Sequence, residues 1–119
     1  MNQPSPSVAA ISTEKRGNAL IATINAKMLN DAEVNMLGQI LDQASGDSSI
    51  SKVIVNFERV QLVPSLGLGL LLRISQKCES RNQSLVLAGL SKNVRQTFTI
   101  TKLDRVLKLA DSVDAALAG

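Results

Sequence analysis

The stretch KVIVNFERVQLVPSLGLGLLLRI, Lys52 to Ile74, decides the fold that this 119-residue chain is expected to adopt. It contains three consecutive apolar residues, Val53 to Val55, and an apolar run without alternation is typical of a strand covered on both faces. A loop from Glu58 to Pro64 follows, and apolar residues then recur at helical spacing from Ser65 onward. The stretch predicts a central strand over Lys52 to Phe57, a short loop and a helix that begins at Ser65.

The helix that begins at Ser65 is predicted to bury one apolar face. Helical spacing assigns five residues to that face, namely Leu68, Leu71, Leu72, Ser75 and Cys78. Cys78 is the only cysteine, so no internal disulfide can form, and we interpret it as a small core residue. Its thiol is expected to be inert, because the chain contains no histidine that could activate it.

The residues before this stretch predict a tail, a hairpin and a helix. Residues 1 to 7 are polar and contain prolines, so they are expected to form a flexible tail before a domain over residues 8 to 119. Val8 to Ser12 and Ala19 to Ile24 are β-compatible runs, and Gly17 with Asn18 between them suits a tight turn.

A helix over Asn30 to Ala44 is predicted by its start signals. Asn30 is placed as the N-cap, and Glu33 three residues later completes a capping box. Leu29 and Val34 are spaced as a hydrophobic staple, and further apolar residues recur at helical spacing. The sequence therefore predicts a first helix with one apolar face.

The residues after the central stretch continue the alternation of strands and helices. Ser84 to Ala88 is predicted to be an inner strand, followed by a helix over Lys92 to Lys102 that Ser91 caps. Thr97 to Thr101 alternates polar and apolar residues as a strand would, but its place between strands favours the helix. Val106 to Leu109 is a short apolar run that is expected to form the last strand.

A closing helix over Ser112 to Leu117 gives the element order ββαβαβαβα. An opening hairpin followed by right-handed helical crossovers predicts an α/β domain with a mixed, mostly parallel sheet. Its helices are expected mainly on one face of that sheet. No internal repeat is visible in the sequence.

Composition excludes several function classes. The formal net charge is +3, but the largest basic cluster is Lys15 with Arg16 and the only aromatic residues are Phe57 and Phe98, which is unlike a nucleic-acid binder. With no histidine, no metal site or cofactor is expected. The apolar run Leu62 to Leu72 is well short of the ~20 residues that a membrane-spanning helix needs. No signal peptide is expected, and a cytoplasmic location is predicted.

The central stretch resembles the signature of STAS domains, the sulfate-transporter and anti-sigma-antagonist fold. In that signature a strand and a loop lead to Asp-Ser-Ser-Gly-Leu-Gly at the start of a helix. The downstream segment SLVLAGLSKNVRQTFTITKLDRVLKLADSVDAAL also resembles the family's later strands and helices, so the resemblance covers roughly residues 8 to 118. The STAS fold is therefore expected for the whole domain.

The resemblance implies an anti-sigma factor antagonist, a non-enzymatic bacterial regulator of transcription. Such a protein binds an anti-sigma factor of the serine kinase type, and the kinase inactivates it by phosphorylating the second serine of Asp-Ser-Ser-Gly. In this chain Pro64 stands at the Asp position, Ser65 at the first Ser and Leu66 at the phosphorylated Ser. Leu66 cannot accept a phosphate. Ser65 is only a weak candidate, because it is expected to cap the helix with its hydroxyl.

The resemblance also implies a partner-binding surface around this loop. Pro64 to Gly69, that is Pro64, Ser65, Leu66, Gly67, Leu68 and Gly69, are expected to lie near Asn30 and Asp31 at the start of the first helix. Gly67 and Gly69 are interpreted as packing residues, since a bare Gly-x-Gly is a weak nucleotide signal.

Three functional alternatives remain open on sequence grounds. The first is partner binding of the anti-sigma antagonist type, and the second is a structural STAS subunit of a signalling scaffold or a membrane transporter complex. The third, an enzyme or small-ligand carrier that uses the glycine loop, is disfavoured because no base, nucleophile pair or phosphate-binding cation lies near the loop in sequence. A homodimer is left open.

Overall fold

Five strands form a sheet in the computed structural model of the chain, which describes residues 10 to 119. The strands are β1 (Ile11–Arg16), β2 (Ala19–Ile24), β3 (Lys52–Asn56), β4 (Ser84–Ala88) and β5 (Lys108–Ala110). They lie in the order β1-β2-β3-β4-β5, with β1 antiparallel to β2 and every later pair parallel. The predicted mixed, mostly parallel sheet is confirmed.

In the described part of the chain, four α-helices and one short 3-10 helix connect and cover the strands. They are α1 (Asp31–Ser45), α2 (Ser65–Ser80), α3 (Lys92–Ile100), the 3-10 turn Leu103–Arg105, and α4 (Val113–Ala118). The capping box predicted for α1 is present. Asn30 Oδ1 accepts hydrogen bonds from the backbone N–H groups of Ala32 and Glu33 at 3.0 and 3.2 Å, and Glu33 Oε1 accepts one from the Asn30 N–H at 3.0 Å.

The helices divide unequally between the two faces of the sheet, as predicted. The main core lies between one face and α1, α2 and α3, where Phe57 and Phe98 meet edge to face with ring centroids 6.5 Å apart. A smaller cluster lies on the other face, where Ala116 of α4 packs with Ile54 of β3 and Val86 of β4. The strand β3 is therefore covered on both faces, which is the physical reason for its unbroken apolar run.

The opening hairpin is confirmed, but its first strand is longer than predicted at its C-terminal end. Arg16 pairs with Ala19, so the loop has only two residues, and Gly17 takes the positive φ of +60° that such a turn favours. The segment Thr13–Arg16 is exposed and joins the sheet by pairing with β2, so hydrophobic periodicity gave no sign of it. The predicted tail and the first two residues of the predicted strand, Val8 and Ala9, lie outside the described residues.

The alternating segment Thr97 to Thr101 lies in and at the end of a helix, as its position in the chain predicted. The hydroxyls of Thr97 and Thr99 donate to the carbonyls one turn earlier at 3.2 and 3.1 Å, so these threonines are accommodated within α3. The helix ends at Ile100, two residues before the predicted end, because Lys102 takes a left-handed φ of +63°. The last strand, β5, begins two residues later than the predicted run Val106 to Leu109.

The buried face of α2 differs from the predicted one. Its buried residues are Gly67, Leu70, Leu71, Ile74 and Cys78, whereas Leu68, Leu72 and Ser75 are only partly buried. Leucine occupies five of the seven positions from 66 to 72, so helical spacing alone could not fix the rotation of the helix. Only the position of Leu71 and Cys78 on the buried face was predicted correctly.

Candidate functional site

The loops that follow β2 and β3 are bonded to one another at the carboxyl ends of these parallel strands. The backbone N–H groups of Gln61 and Leu62 donate to the Lys27 carbonyl, with N···O distances of 2.7 and 3.2 Å, and the Leu29 N–H donates to the Leu62 carbonyl at 3.4 Å. Met28 and Leu62 thereby form an isolated parallel bridge. This bridge holds the start of α2 beside the start of α1, at the edge of the sheet where α/β proteins commonly bind ligands.

Pro64, rather than Ser65, is the N-cap of α2. Pro64 has an extended backbone with ψ of 166°, and its carbonyl accepts the N–H groups of Gly67 and Leu68 at 2.9 and 3.1 Å. Ser65 is the first residue of the helix, and no side chain in the described part of the chain caps α2. The prediction that the Ser65 hydroxyl caps the helix is therefore wrong, and Ser65 is exposed.

Leu66 is exposed in the first turn of α2, where 55% of its surface is accessible. Met28 and Leu62, which form the bridge before the helices, are also about half exposed, at 49% and 54%. Three large apolar side chains at one end of the fold are therefore left uncovered. We call the surface formed by Met28, Asn30, Asp31, Leu62, Pro64, Ser65 and Leu66 the helix-start surface.

Two depressions bring together most of the predicted site residues. One, of about 490 Å³, lies at the start of α1 and is lined by Asn30, Asp31 and Pro64 together with Met28. The other, of about 690 Å³, runs between α1 and α2, and we call it the interhelical groove. Its lining includes Ser65 at one end and, along its length, Asn35, Gly38 and Asp42 of α1 and Leu66, Gly69 and Arg73 of α2.

The two glycines of the signature have different environments. A Cβ atom on Gly67 would lie 3.0 Å from Val63 Cγ1 and 3.8 Å from atoms of Leu29 and Val34, so close packing explains this glycine. A Cβ atom on Gly69 would have nothing within 4 Å, and Gly69 is exposed in the groove. The packing interpretation is confirmed for Gly67 and is wrong for Gly69. Leu68 is partly buried against the main core instead of lining the groove.

A cluster of three charged side chains lies at one end of the interhelical groove, where Asp42 and Arg73 belong to the lining and Lys77 lies beside it, and sequence reasoning missed this cluster. Arg73 Nη1 and Nη2 donate to Asp42 Oδ1 and Oδ2 at 3.1 and 3.3 Å, and Lys77 Nζ donates to Asp42 Oδ1 at 3.2 Å. The hydrogen bond from Arg73 is the main cause that lowers the pKa of the Asp42 carboxyl. The spacing of Arg73 and Lys77 on one helix face was visible in the sequence, but their common partner on α1 was not.

These elements agree with the family expected from the sequence. A family model described as STAS domain matches residues 10–116. The chain belongs to the STAS domain family.

Solved STAS structures share this fold across nearly the whole chain. An anti-sigma factor antagonist from Mycobacterium paratuberculosis is similar over 98% of this chain and 97% of its own, with 17% identity and a TM-score of 0.80. The phosphorylated form of the Bacillus cell fate determinant SpoIIAA matches 92% of this chain and 97% of its own, with 20% identity and a TM-score of 0.72.

A structure from a transport context is also similar. A sulfate transporter family protein from Wolinella succinogenes matches 85% of this chain and 83% of its own, with 23% identity and a TM-score of 0.73. At these identities the likenesses establish the STAS fold of this chain.

The remaining chemistry of this STAS domain is sparse. Burial raises the pKa of the Cys78 thiol, which favours the protonated, unreactive form of this core residue. Residues 10 to 119 contain no group of three histidine, cysteine or acidic side chains arranged to hold a metal ion. None of the helices in that range combines the length and the apolar character needed to cross a membrane.

Proposed function

We propose that this STAS domain is a non-enzymatic, protein-binding regulator that binds an anti-sigma factor through the helix-start surface. The observation that supports the proposal best is the exposure of Leu66 in the first turn of α2, together with exposed Met28 and Leu62. Exposed apolar side chains grouped at one end of a small domain are typical of a protein interface, where the partner removes them from water. Asn30, Asp31 and Ser65 provide polar groups on the same surface.

We further propose that binding is not controlled by phosphorylation at position 66. Leucine has no oxygen to accept the phosphate, and a leucine there adds apolar contact area to the surface instead. Ser65 is exposed and does not cap α2, so its hydroxyl is accessible to solvent. Successive side chains on a helix point about 100° apart, however, so the Ser65 hydroxyl points away from the direction of position 66. A kinase that is docked with its nucleotide facing position 66 is therefore not aligned to phosphorylate Ser65.

The test is a binding titration with the purified anti-sigma factor kinase from the same genome. Leu66→Glu is expected to weaken binding by about tenfold or more, because it places a charge in the centre of the apolar contact. Ile100→Glu is the matched control, since Ile100 is 71% exposed at the end of α3, away from the helix-start surface. Equal binding by folded Leu66→Glu and wild type contradicts the proposal.

A STAS subunit of a signalling scaffold or a membrane transporter complex is the second candidate function. The similarity to the sulfate transporter family protein supports it, and so does the absence of a hydroxyl at Leu66, since a permanent subunit needs no phosphate switch. The two candidates predict different partners for the same surface. Affinity purification with wild type and Leu66→Glu in parallel separates them, because the protein lost from the variant is either a kinase or a transporter or scaffold subunit.

A further inference from the structure

Gly69 has no structural explanation within the fold, although it lies inside a helix. A glycine in a helix costs stability relative to alanine, so a helix normally retains one for packing or for an unusual backbone angle. A Cβ atom on Gly69 would contact nothing within 4 Å. Its φ is not positive, since the positive-φ glycines of the described chain are Gly17 and Gly89.

The missing side chain at Gly69 keeps the interhelical groove open. Gly38 of α1 lines the same groove, and a Cβ atom there would lie 3.4 Å from Leu70 Cδ1. Because each helix has a glycine here, a side chain from outside can enter between the helices and contact Val34 and Leu70, which form the apolar floor of the groove. Small residues of this kind allow the backbone of another helix to approach closely.

The charged cluster at the end of the groove favours an acidic occupant. Asp42 is the only carboxylate among the described residues that line the groove. It is hydrogen-bonded by Arg73, which also lines the groove, and by Lys77, which lies next to the lining. Two cations with one anion leave the cluster with a net charge of +1. The Arg73 side chain is 54% exposed and uses only two of its five N–H donors on Asp42, so it can still bind a second carboxylate.

We propose that the interhelical groove receives one amphipathic helix of the protein partner. An aliphatic side chain of that helix lies over Gly69, between the two glycines, and a carboxylate of the same helix bonds to Arg73. The groove opens at Leu66 and Ser65, so this contact continues the helix-start surface and extends the interface along the helix pair. The inference rests on the proposed protein-binding function, but it specifies a feature of the partner that the function does not.

The first experiment needs no knowledge of the natural partner. The probe is a display library built on a small three-helix scaffold, with one helix face randomised, and it is selected against the full-length wild-type chain. We expect the selected faces to carry a leucine, isoleucine or methionine with an aspartate or glutamate one to two turns away. Binding of these clones is expected to weaken slightly for Gly69→Ala and by about tenfold or more for Gly69→Gln, which fills the groove.

Two further variants test where on α2 the selected helix binds and whether the charge of Arg73 contributes to binding. Ser80→Gln adds a side chain of the same kind at the far end of α2, outside the groove, and is expected to leave binding unchanged. Arg73→Gln is expected to weaken binding and to make it less sensitive to salt. Thermal unfolding of each variant shows that the fold is retained. Selected clones that bind Gly69→Gln as well as wild type, or that carry no acidic residue, overturn the inference.

The same variants distinguish this inference from the proposed function. If wild type does not bind the anti-sigma factor, the proposed function fails. The library result still shows whether the groove binds an amphipathic helix. If the anti-sigma factor binds wild type and Gly69→Gln equally, the groove inference fails and the proposed function stands. Sedimentation velocity provides a third outcome, since self-association that Gly69→Gln abolishes assigns the groove to a second copy of the chain and overturns the inference.

Discussion

Three glycine-to-alanine substitutions in the paired helices are predicted to change stability in a definite order. Gly69→Ala is expected to stabilise the domain by about 0.5–1 kcal/mol, because alanine is the better helix former and its Cβ meets nothing within 4 Å. Gly67→Ala is expected to destabilise the domain instead. Its Cβ lies 3.0 Å from Val63 Cγ1, and Val63 is itself 5% exposed, so the valine has little room to move.

The size of the Gly67 effect follows from two opposed contributions. Overpacking a close contact lowers the free energy of unfolding by about 1–3 kcal/mol. The better helix propensity of alanine raises it by less than about 1 kcal/mol in the first turn, so the net loss of stability is about 1 kcal/mol. Gly38→Ala is expected to lie between the other two. Its Cβ would be 3.4 Å from Leu70 Cδ1, which is a tolerable contact at the mobile end of a side chain.

Urea unfolding followed by circular dichroism measures these differences. With an m-value of about 1.5 kcal/mol/M, the Gly69→Ala midpoint is expected to rise by about 0.3–0.7 M and the Gly67→Ala midpoint to fall by about 0.7 M. The m-values themselves should not change, since the fold is the same. A Gly67→Ala midpoint equal to that of Gly69→Ala refutes the assignment of packing to one glycine and of an open groove to the other.

Three further predictions concern the ion-pair cluster, a buried amide and the leucine of the signature. Asp42→Asn is expected to destabilise by at most about 1 kcal/mol near neutral pH, because the bond from Arg73 is partly exposed, and the difference should vanish as pH falls through the lowered pKa of Asp42. Gln83→Met should cost about 1–3 kcal/mol, because Gln83 Nε2 donates to the Ile50 carbonyl at 2.7 Å in a buried site. Leu66→Ser is expected to be phosphorylated by the cognate kinase at position 66, since a phosphate near a helix N-terminus is electrostatically favoured.

Each of these three predictions has its own control. The pKa of the Asp42 carboxyl is lower in the folded than in the unfolded state, so the ion pair stabilises the fold less as the pH falls. A stability difference between wild type and Asp42→Asn that grows below about pH 4 therefore contradicts the ion pair. Gln76→Met, at an exposed position of α2, controls for the side-chain change at Gln83 and should be nearly neutral. For Leu66→Ser the control is wild type with the same kinase and ATP, and mass spectrometry that finds stoichiometric phosphate on wild-type Ser65 shows that the switch has moved by one residue.

Local signals in the sequence predicted the elements whose causes are local. The α1 start depends on Asn30 and Glu33, which are three residues apart, and it was placed within one residue. The helix nature of Thr97 to Thr101 was predicted from the order of elements, although its alternation suggested a strand. The strand residues Thr13 to Arg16 were missed because they are exposed, and only backbone pairing with β2 makes them a strand.

The features of the site that were missed depend on the rotation and contacts of α2. A leucine-rich helix has no unique apolar face, so its phase is decided by what it packs against, and here Gly67 turns toward Val63 and Leu29. That rotation leaves Gly69 facing the groove. The pairing of Arg73 with Asp42 links residues 31 positions apart, on two helices whose relative placement no local pattern encodes.

The geometry of the first turn of α2 explains how the surface could change without loss of the fold. Gly67 points inward against Val63, and Leu66, one residue earlier and about 100° away, points into solvent. A substitution at position 66 therefore leaves the core contacts of its neighbour intact, so a hydroxyl can be exchanged for an aliphatic side chain at little cost in stability. Pro64 supplies the carbonyl that starts the helix, and no side chain among residues 10 to 119 caps it, so the cap of α2 does not involve the side chain at position 66. The fold thus constrains Gly67 strongly and Leu66 hardly at all, which leaves the Leu66 side chain available for the partner contact proposed above.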